Sequence, residues 1–349
     1  MKKVTILAAT LMALGFTANA QSQVSTASSP TRVPAFVPLT PYQYNAQNAP
    51  VAGANAGTIS GANAQYGNYS QDSQIQQAGD NNQANVDQLD SRTSAGGALA
   101  SGSGSSATVS QLSGSHNTTN QKQTLLNESN VAGGRNVLSS SQSGSYSQVD
   151  QTQLGGNHNT AQAIQASGSS ANLATQTQNN GTNKSAYIEQ TGSSSGNRAV
   201  QSQTGASGSM ASNGGITAVI TQKGSNSHAN QAQSGTGVGN DAGINQGLGS
   251  ANTALQTQNG SYLNASIDQS AGSASGSVSS NYAKQDQTGV SNNASIVQRS
   301  SGNYAQQMQM DGNTGIVQNN TSAIMQSNVS SAAYTTQSGT YNTAVVTQH

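Results

Sequence analysis

From residue 281 the chain repeats one frame at a spacing of eleven: Asn281-x-Ala283-x-Gln285-x-Gln287, Asn292-x-Ala294-x-Ile296-x-Gln298 and Asn303-x-Ala305-x-Gln307-x-Gln309. It returns as Asn320/Ser322/Ile324/Gln326, Ser331/Ala333/Thr335/Gln337 and Asn342/Ala344/Val346/Gln348. Selection at every second position over seven residues marks a strand with one chosen face; a helix would need a period of about 3.6. So short a unit buries its chosen face only if neighbours cover it above and below.

Extended upstream, the frame yields 21 heptads between residues 71 and 348. Anchoring each heptad on its last Gln leaves the other slots as the test. The first slot is Asn or Ser in 17 of the 21, failing at Gln71, Lys184, Ile216 and Leu263, and the third slot is Ala in 16. The fifth slot alternates from heptad to heptad: Gln176, Ile188, Gln201, Ile220, Gln231, Ile244, Gln256, Ile267, Gln285, Ile296, Gln307, Ile324, with Thr335 and Val346 closing the series. If two successive strands make one rung, each strand lies over the next but one, so Gln stacks on Gln and Ile on Ile. The expected fold is therefore all-β, a β-solenoid or cross-β stack of about ten two-strand rungs, roughly 50 Å tall at ~4.8 Å per rung.

Composition decides what can fill such a stack. Cys and Trp are absent and both Phe residues, Phe16 and Phe36, precede the repeats, so neither disulfides nor a conventional oily core are available. An unpaired buried amide costs about 1 to 3 kcal/mol, but an amide stacked on identical amides can donate to one neighbour and accept from the other. Ladders of Asn and Gln can thus take the place of the missing core. The gaps fit: a Gly stands two residues after the last Gln at 79, 144, 192, 205, 224, 260, 289 and 339, where a positive φ for a tight turn is expected. Longer gaps at 89–104, 124–135, 204–215, 270–280 and 310–319 follow mostly Gln-type strands and should gather on one edge.

The N-terminal part is organised differently. Lys2 and Lys3, the apolar run VTILAATLMALGF and the small residues to Ala20 have the pattern of a secretory signal peptide, residues 1–20, cleaved after Ala20. All five prolines fall between 30 and 50, so 21–64 is expected to be an extended leader and 65–349 the repeat region.

Charge excludes several functions. Eleven basic residues balance eleven acidic ones, and charged residues make up 6%, so the clustered Lys and Arg that nucleic acid requires are missing. Asp268 and Asp286 stand singly on outward positions and read as gatekeepers against aggregation. His116, His158, His228 and His349 show no close pairing, so neither metal nor cofactor is expected, nor an enzyme. Tyr187, Tyr282, Tyr304 and Tyr334 fall on outward slots, where ordinary strand propensity accounts for them; the sharper reading is lateral packing between stacks or adhesion to surfaces.

The stretches Ser331-x5-Gln337-x-Gly339-x2-Asn342-x-Ala344-x3-Gln348 and Asn281 to Gln298, with Gln77 to Gln88 as a partial copy, resemble curlin repeats. The resemblance implies a secreted subunit of curli-type functional amyloid, held unfolded during export across the outer membrane of a Gram-negative-type bacterium and polymerised outside into adhesive biofilm fibres. It implies a homopolymer served by a secretion channel, a chaperone and a nucleator. Assembly roles fall on Asn281, Gln287, Asn292, Gln298, Ser331, Gln337, Asn342 and Gln348, to which the frame adds Gln285, Ile296, Asn303, Gln307, Gln309, Asn320 and Gln326. The repeats outnumber those of a typical curlin, and the leader matches no curlin motif. The last strand is expected to be uncapped, offering a template for the next copy. The alternative is a soluble monomeric β-solenoid acting as an adhesin or ice-binding protein.

Overall fold

The computed structural model describes residues 57–66, 69–90, 105–125, 136–156, 158–192, 195–205, 215–235, 239–271, 276–310 and 319–349. The signal peptide, most of the leader, the greater part of four of the long gaps and residues 272–275 of the fifth lie outside these residues. No helix occurs among the described residues. The first strands are β1 (Gly57–Tyr66), β2 (Tyr69–Gln77), β3 (Gln83–Asp90), β4 (Ser106–Gln111), β5 (Thr118–Leu125), β6 (Val137–Gln142) and β7 (Gln148–Leu154). The middle ones are β8 (Thr160–Gln165), β9 (Leu173–Asn179), β10 (Lys184–Gln190), β11 (Arg198–Thr204), β12 (Ile216–Gln222), β13 (His228–Ser234), β14 (Asp241–Gln246) and β15 (Thr253–Ser261). The last are β16 (Asn264–Gln269), β17 (Tyr282–Val290), β18 (Asn293–Gln298), β19 (Tyr304–Met310), β20 (Thr321–Gln326), β21 (Ala332–Ser338) and β22 (Thr343–Gln348).

Strands β2 to β22 coincide with the heptads, and they stack on the next but one. Even-numbered strands form one sheet, 12-stranded with β1 included, and odd-numbered strands form a 10-stranded sheet facing it, so the stack departs slightly from an even set of ten pairs. Every pairing among β2 to β22 is parallel and keeps slot over slot: Gln285 lies between Gln256 and Gln307, and Ile296 between Ile267 and Ile324. The result is a β-solenoid. A strand outside the frame, β1, pairs antiparallel with β2, although residues 57–64 read as leader from sequence.

The apolar filling is thin and divided between the sheets. Ile188, Ile220, Ile244, Ile267, Ile296 and Ile324 on the even sheet pack in one buried cluster with Ala174, Ala199, Ala229, Ala254, Ala283 and Ala305 on the odd sheet. A large side chain on one sheet meets a small one on the other, which keeps the sheet spacing constant. Where β8 carries the small Ala163 in its fifth slot, β7 supplies Val149 in the third, and the two share that cluster. The same exchange within a strand places Leu138, not Ala, two residues before the buried Ser140 of β6.

Glycines in the turns serve two purposes, only one of which is positive φ. Gly79, Gly192, Gly205, Gly260, Gly289 and Gly339 have φ between 78° and 148°, as expected, but Gly144 and Gly224 do not. At Gly144 the reason is space: a Cβ would stand 2.2 Å from the Ser169 carbonyl oxygen of the next turn. Turns after even strands stack nearly as closely as strands, as the bridges Ser145–Ser170–Ser195 and Ser225–Ser250 record. Gly144→Ala should therefore destabilise by about 1 to 3 kcal/mol through overpacking alone, seen as a lower urea midpoint. A midpoint equal to the parent's would show that the turn can spread.

Candidate functional site: the amide columns

Three unbroken chains of glutamine amides run along the stack, two over the full height of their sheets and one over most of it. On the even sheet the seventh-slot column passes from Gln77 through Gln111, Gln142, Gln165, Gln190, Gln222, Gln246, Gln269, Gln298 and Gln326 to Gln348, each Nε2 donating to the next Oε1 at 2.7 to 3.0 Å. The odd-sheet counterpart runs from Gln88 to Gln337 through Gln287 and Gln309 at 2.6 to 3.0 Å. The fifth-slot column of the odd sheet links Gln121, Gln151, Gln176, Gln201, Gln231, Gln256, Gln285 and Gln307 at 2.7 to 3.0 Å. All three donate in one direction, from earlier rungs to later ones.

The second N–H of each amide ties the two sheets together. In the fifth-slot column it donates to the fourth-slot carbonyl of the facing strand: Gln201 to Tyr187 O, Gln231 to Val219 O, Gln256 to Gly243 O, Gln285 to Ser266 O, all at 2.9 Å. In the odd seventh-slot column it reaches a second-slot carbonyl, as Gln287 to Asn264 O at 2.9 Å and Gln309 to Asn293 O at 3.0 Å. Both amide protons are thus used inside a site from which water is excluded; Gln285, Gln298 and Gln307 have no exposed surface. A repeating, fully bonded network of this kind rigidifies where an apolar core would only fill.

The asparagines work differently from the like-on-like ladder expected of them. Asn281 and Asn303 accept, through Oδ1, the backbone N–H of Asn303 at 2.8 Å and of Ser331 at 2.9 Å. On the even sheet Asn292 and Asn320 accept the N–H of Asn320 at 3.2 Å and of Asn342 at 2.9 Å. The Nδ2 group often donates to a turn carbonyl instead, as Asn320 to Gly339 O at 2.7 Å and Asn197 to Gly224 O at 2.6 Å. The first slot therefore caps the entry of the following rung, which is why Asn and Ser, with short acceptor side chains, share it. Sequence reasoning missed the residue before it. Fourteen non-glycine residues there, from Asn81 to Tyr341, have φ of 48° to 60°, and none is β-branched, a signal present in the sequence. Only Asn180 has positive φ elsewhere among non-glycine described residues.

The fifth-slot amide column stops at Gln307, which lies under Thr335. Gln307 turns to the Ser322 hydroxyl at 3.1 Å, and Ser322 in turn meets the Thr335 hydroxyl at 2.8 Å. The last rung is less covered than those beneath it. The inward residues Ala344, Val346 and Gln348 of β22, and Asn342 just before it, are only half-buried, whereas Asn320, Ser322, Ile324 and Gln326 beneath them are buried. Gln348 Nε2 donates to the Ala332 carbonyl at 2.9 Å, which leaves its other N–H pointing past the last rung.

One slot breaks the pattern with a charge. Lys184 occupies a first slot between Thr160 and Ile216 strands, is 1% exposed, and donates from Nζ to the carbonyls of Asn179 at 2.7 Å, Asn180 and Gln203 at 3.3 Å. Burial pushes its amine down from 10.5 to about 8. Between those pH values the unfolded chain holds the proton and the folded chain does not, so stability rises with pH across the window. Lys184→Asn, which restores the frame, should remove that rise. Urea midpoints of both proteins at the two ends of the window measure it, and parallel slopes would refute it.

Asp268 and Asp286, which read as single outward charges from sequence, are paired. Asp286 meets Lys284 at 2.7 Å and Asp268 meets Arg299 at 2.9 Å, both on a partly solvated face. The described residues hold no group of three or more His, Asp or Glu placed to bind a metal. No family model matches the chain, and no curated protein matches it.

Proposed function

We propose that the chain is the secreted structural subunit of an extracellular curli-type amyloid fibre, growing by end-to-end templated stacking of its rungs. The observation that carries this reading is that the three amide columns all donate in one direction and that the even-sheet column ends on the half-buried rung of β22. An incoming strand with the same frame would find a Gln348 N–H to accept, half-buried Val346 to cover and an unpaired backbone edge. At the other end β1 lies across the β2 edge, so the two ends offer different surfaces. The export channel, chaperone and nucleator implied by the curlin resemblance belong to the same proposal, as does a role in biofilm adhesion.

The test is size against time for the purified full chain, with thioflavin T as a second readout. Dye-positive fibres that seed fresh monomer are expected. A chain that stays monomeric and dye-silent for days would overturn the fibre and favour a soluble solenoid acting as an adhesin or ice-binding protein.

A further inference from the structure

Three tyrosines line up on the outer face of the odd sheet. Tyr282 and Tyr304 share the second slot of β17 and β19, their rings stacked 4.8 Å apart at an interplanar angle of 10°. Tyr334, one strand further in the fourth slot of β21, lies 5.3 Å from Tyr304 at 40° and is 64% exposed. No other tyrosine pair of this kind occurs among the described residues: Tyr146 stacks on His116, and Tyr187 donates to Glu189. The chain has no Cys and no Trp, so its phenols are the side chains most readily oxidised by one electron to a coupling radical.

We propose that Tyr282, Tyr304 and Tyr334 form an oxidative cross-linking site, at which a dityrosine bond staples successive rungs of the odd sheet. The oxidant is hydrogen peroxide acting through a peroxidase. Two phenols each lose one electron and one proton, and the phenoxyl radicals join through ortho carbons in one new C–C bond. Each ortho hydrogen then moves to its phenoxyl oxygen, restoring both aromatic rings and both hydroxyls, while the peroxide and the two hydrogens removed become two waters. The parallel sheet register holds the two rings one rung apart, so the coupling partner of each radical is preset. Half-buried rings on an outer face need only a swing about the side-chain torsions to bring ortho carbons into contact. In a chain without cysteine, such a bond supplies the covalent cross-link that disulfides give many small exported domains.

The experiment treats the folded full chain with peroxidase and peroxide, reads dityrosine fluorescence and maps cross-linked peptides by mass. A Tyr282–Tyr304 link, lighter by two hydrogens than the two peptides, is expected from the parent and from Tyr187→Phe, and is lost in Tyr304→Phe. Tyr282→Phe is the second variant, which removes this link and leaves Tyr304–Tyr334; circular dichroism checks that each variant keeps its sheet. Equal yield of the link from urea-unfolded chain would overturn the proposal, as would cross-links confined to the exposed turn residues Tyr262 and Tyr341 of different molecules.

Discussion

Gln256→Glu should unfold the middle of the stack at neutral pH and recover part of its stability in acid. Gln256 Nε2 donates to Gln285 Oε1 and to Gly243 O, both at 2.9 Å, while its own Oε1 accepts from Gln231 at 2.8 Å. A carboxylate has nearly the same shape but no donor. It would set negative charge against two acceptor oxygens in a site 2% exposed. An uncompensated buried charge of this sort costs roughly 3 to 5 kcal/mol. Burial and acceptor neighbours both favour the neutral acid, so the folded-state pKa of the new Glu lies above its unfolded value. Its protonated form is therefore favoured by folding, and the recovered stability is present below the unfolded pKa and lost as pH rises through the folded one. Denaturant titrations from acid to neutral pH check this, and hydrogen exchange adds where the damage lies: amides of β13, β15 and β17 should lose protection before those of β5 or β7. A pH-independent loss would mean that the amide acts by shape and not by donation.

Ile244→Ala is expected to cost roughly 2 to 5 kcal/mol, an effect comparable to the first although no hydrogen bond is touched. Ile244 is 2% exposed and lies between Ile220 and Ile267 in the single large-residue column of the even sheet. Its partners across the interface are alanines, which have no rotamers with which to fill a cavity. Nor can the sheets close on the void, because the Gln amides above and below hold both backbones at a set distance. Thr257→Ala, on the exposed side of β15, serves as the control and should change stability by no more than about 0.5 kcal/mol. Equal midpoints for the two variants would place the apolar column outside the cooperative unit.

Together these substitutions separate the two materials of the interior. Amides alone would leave the fifth slot of the even sheet unfilled, and isoleucines alone would leave sheet order unspecified. A strand slipped by one residue would turn its Gln side chains outward and leave the buried amides above and below without partners.

Strand positions, the two-strand rung and the partner of every strand from β2 to β22 were legible in the chain, because a period of two with an alternating fifth slot admits one stacking that pairs like with like. Gln285 over Gln256 and Ile296 over Ile267 follow from that alone. What slot identity could not say is where hydrogen bonds go once the slots are in place. Asn281 and Gln287 look alike as ladder amides, but the shorter Asn side chain cannot span both a like neighbour and the facing sheet, so it caps the backbone N–H of the next rung. Gly144 and Gly192 look alike as turn residues, but one avoids a carbonyl of the next turn while the other adopts positive φ. The exchange of Val149 for Ala163 and the antiparallel cover of β1 on β2 depend on which surfaces meet across and along the stack. Periodicity is a property of one strand and its copies, and it fixes register; contacts between unlike neighbours arise only when the sheets face each other, and they were set by side-chain length and volume in three dimensions.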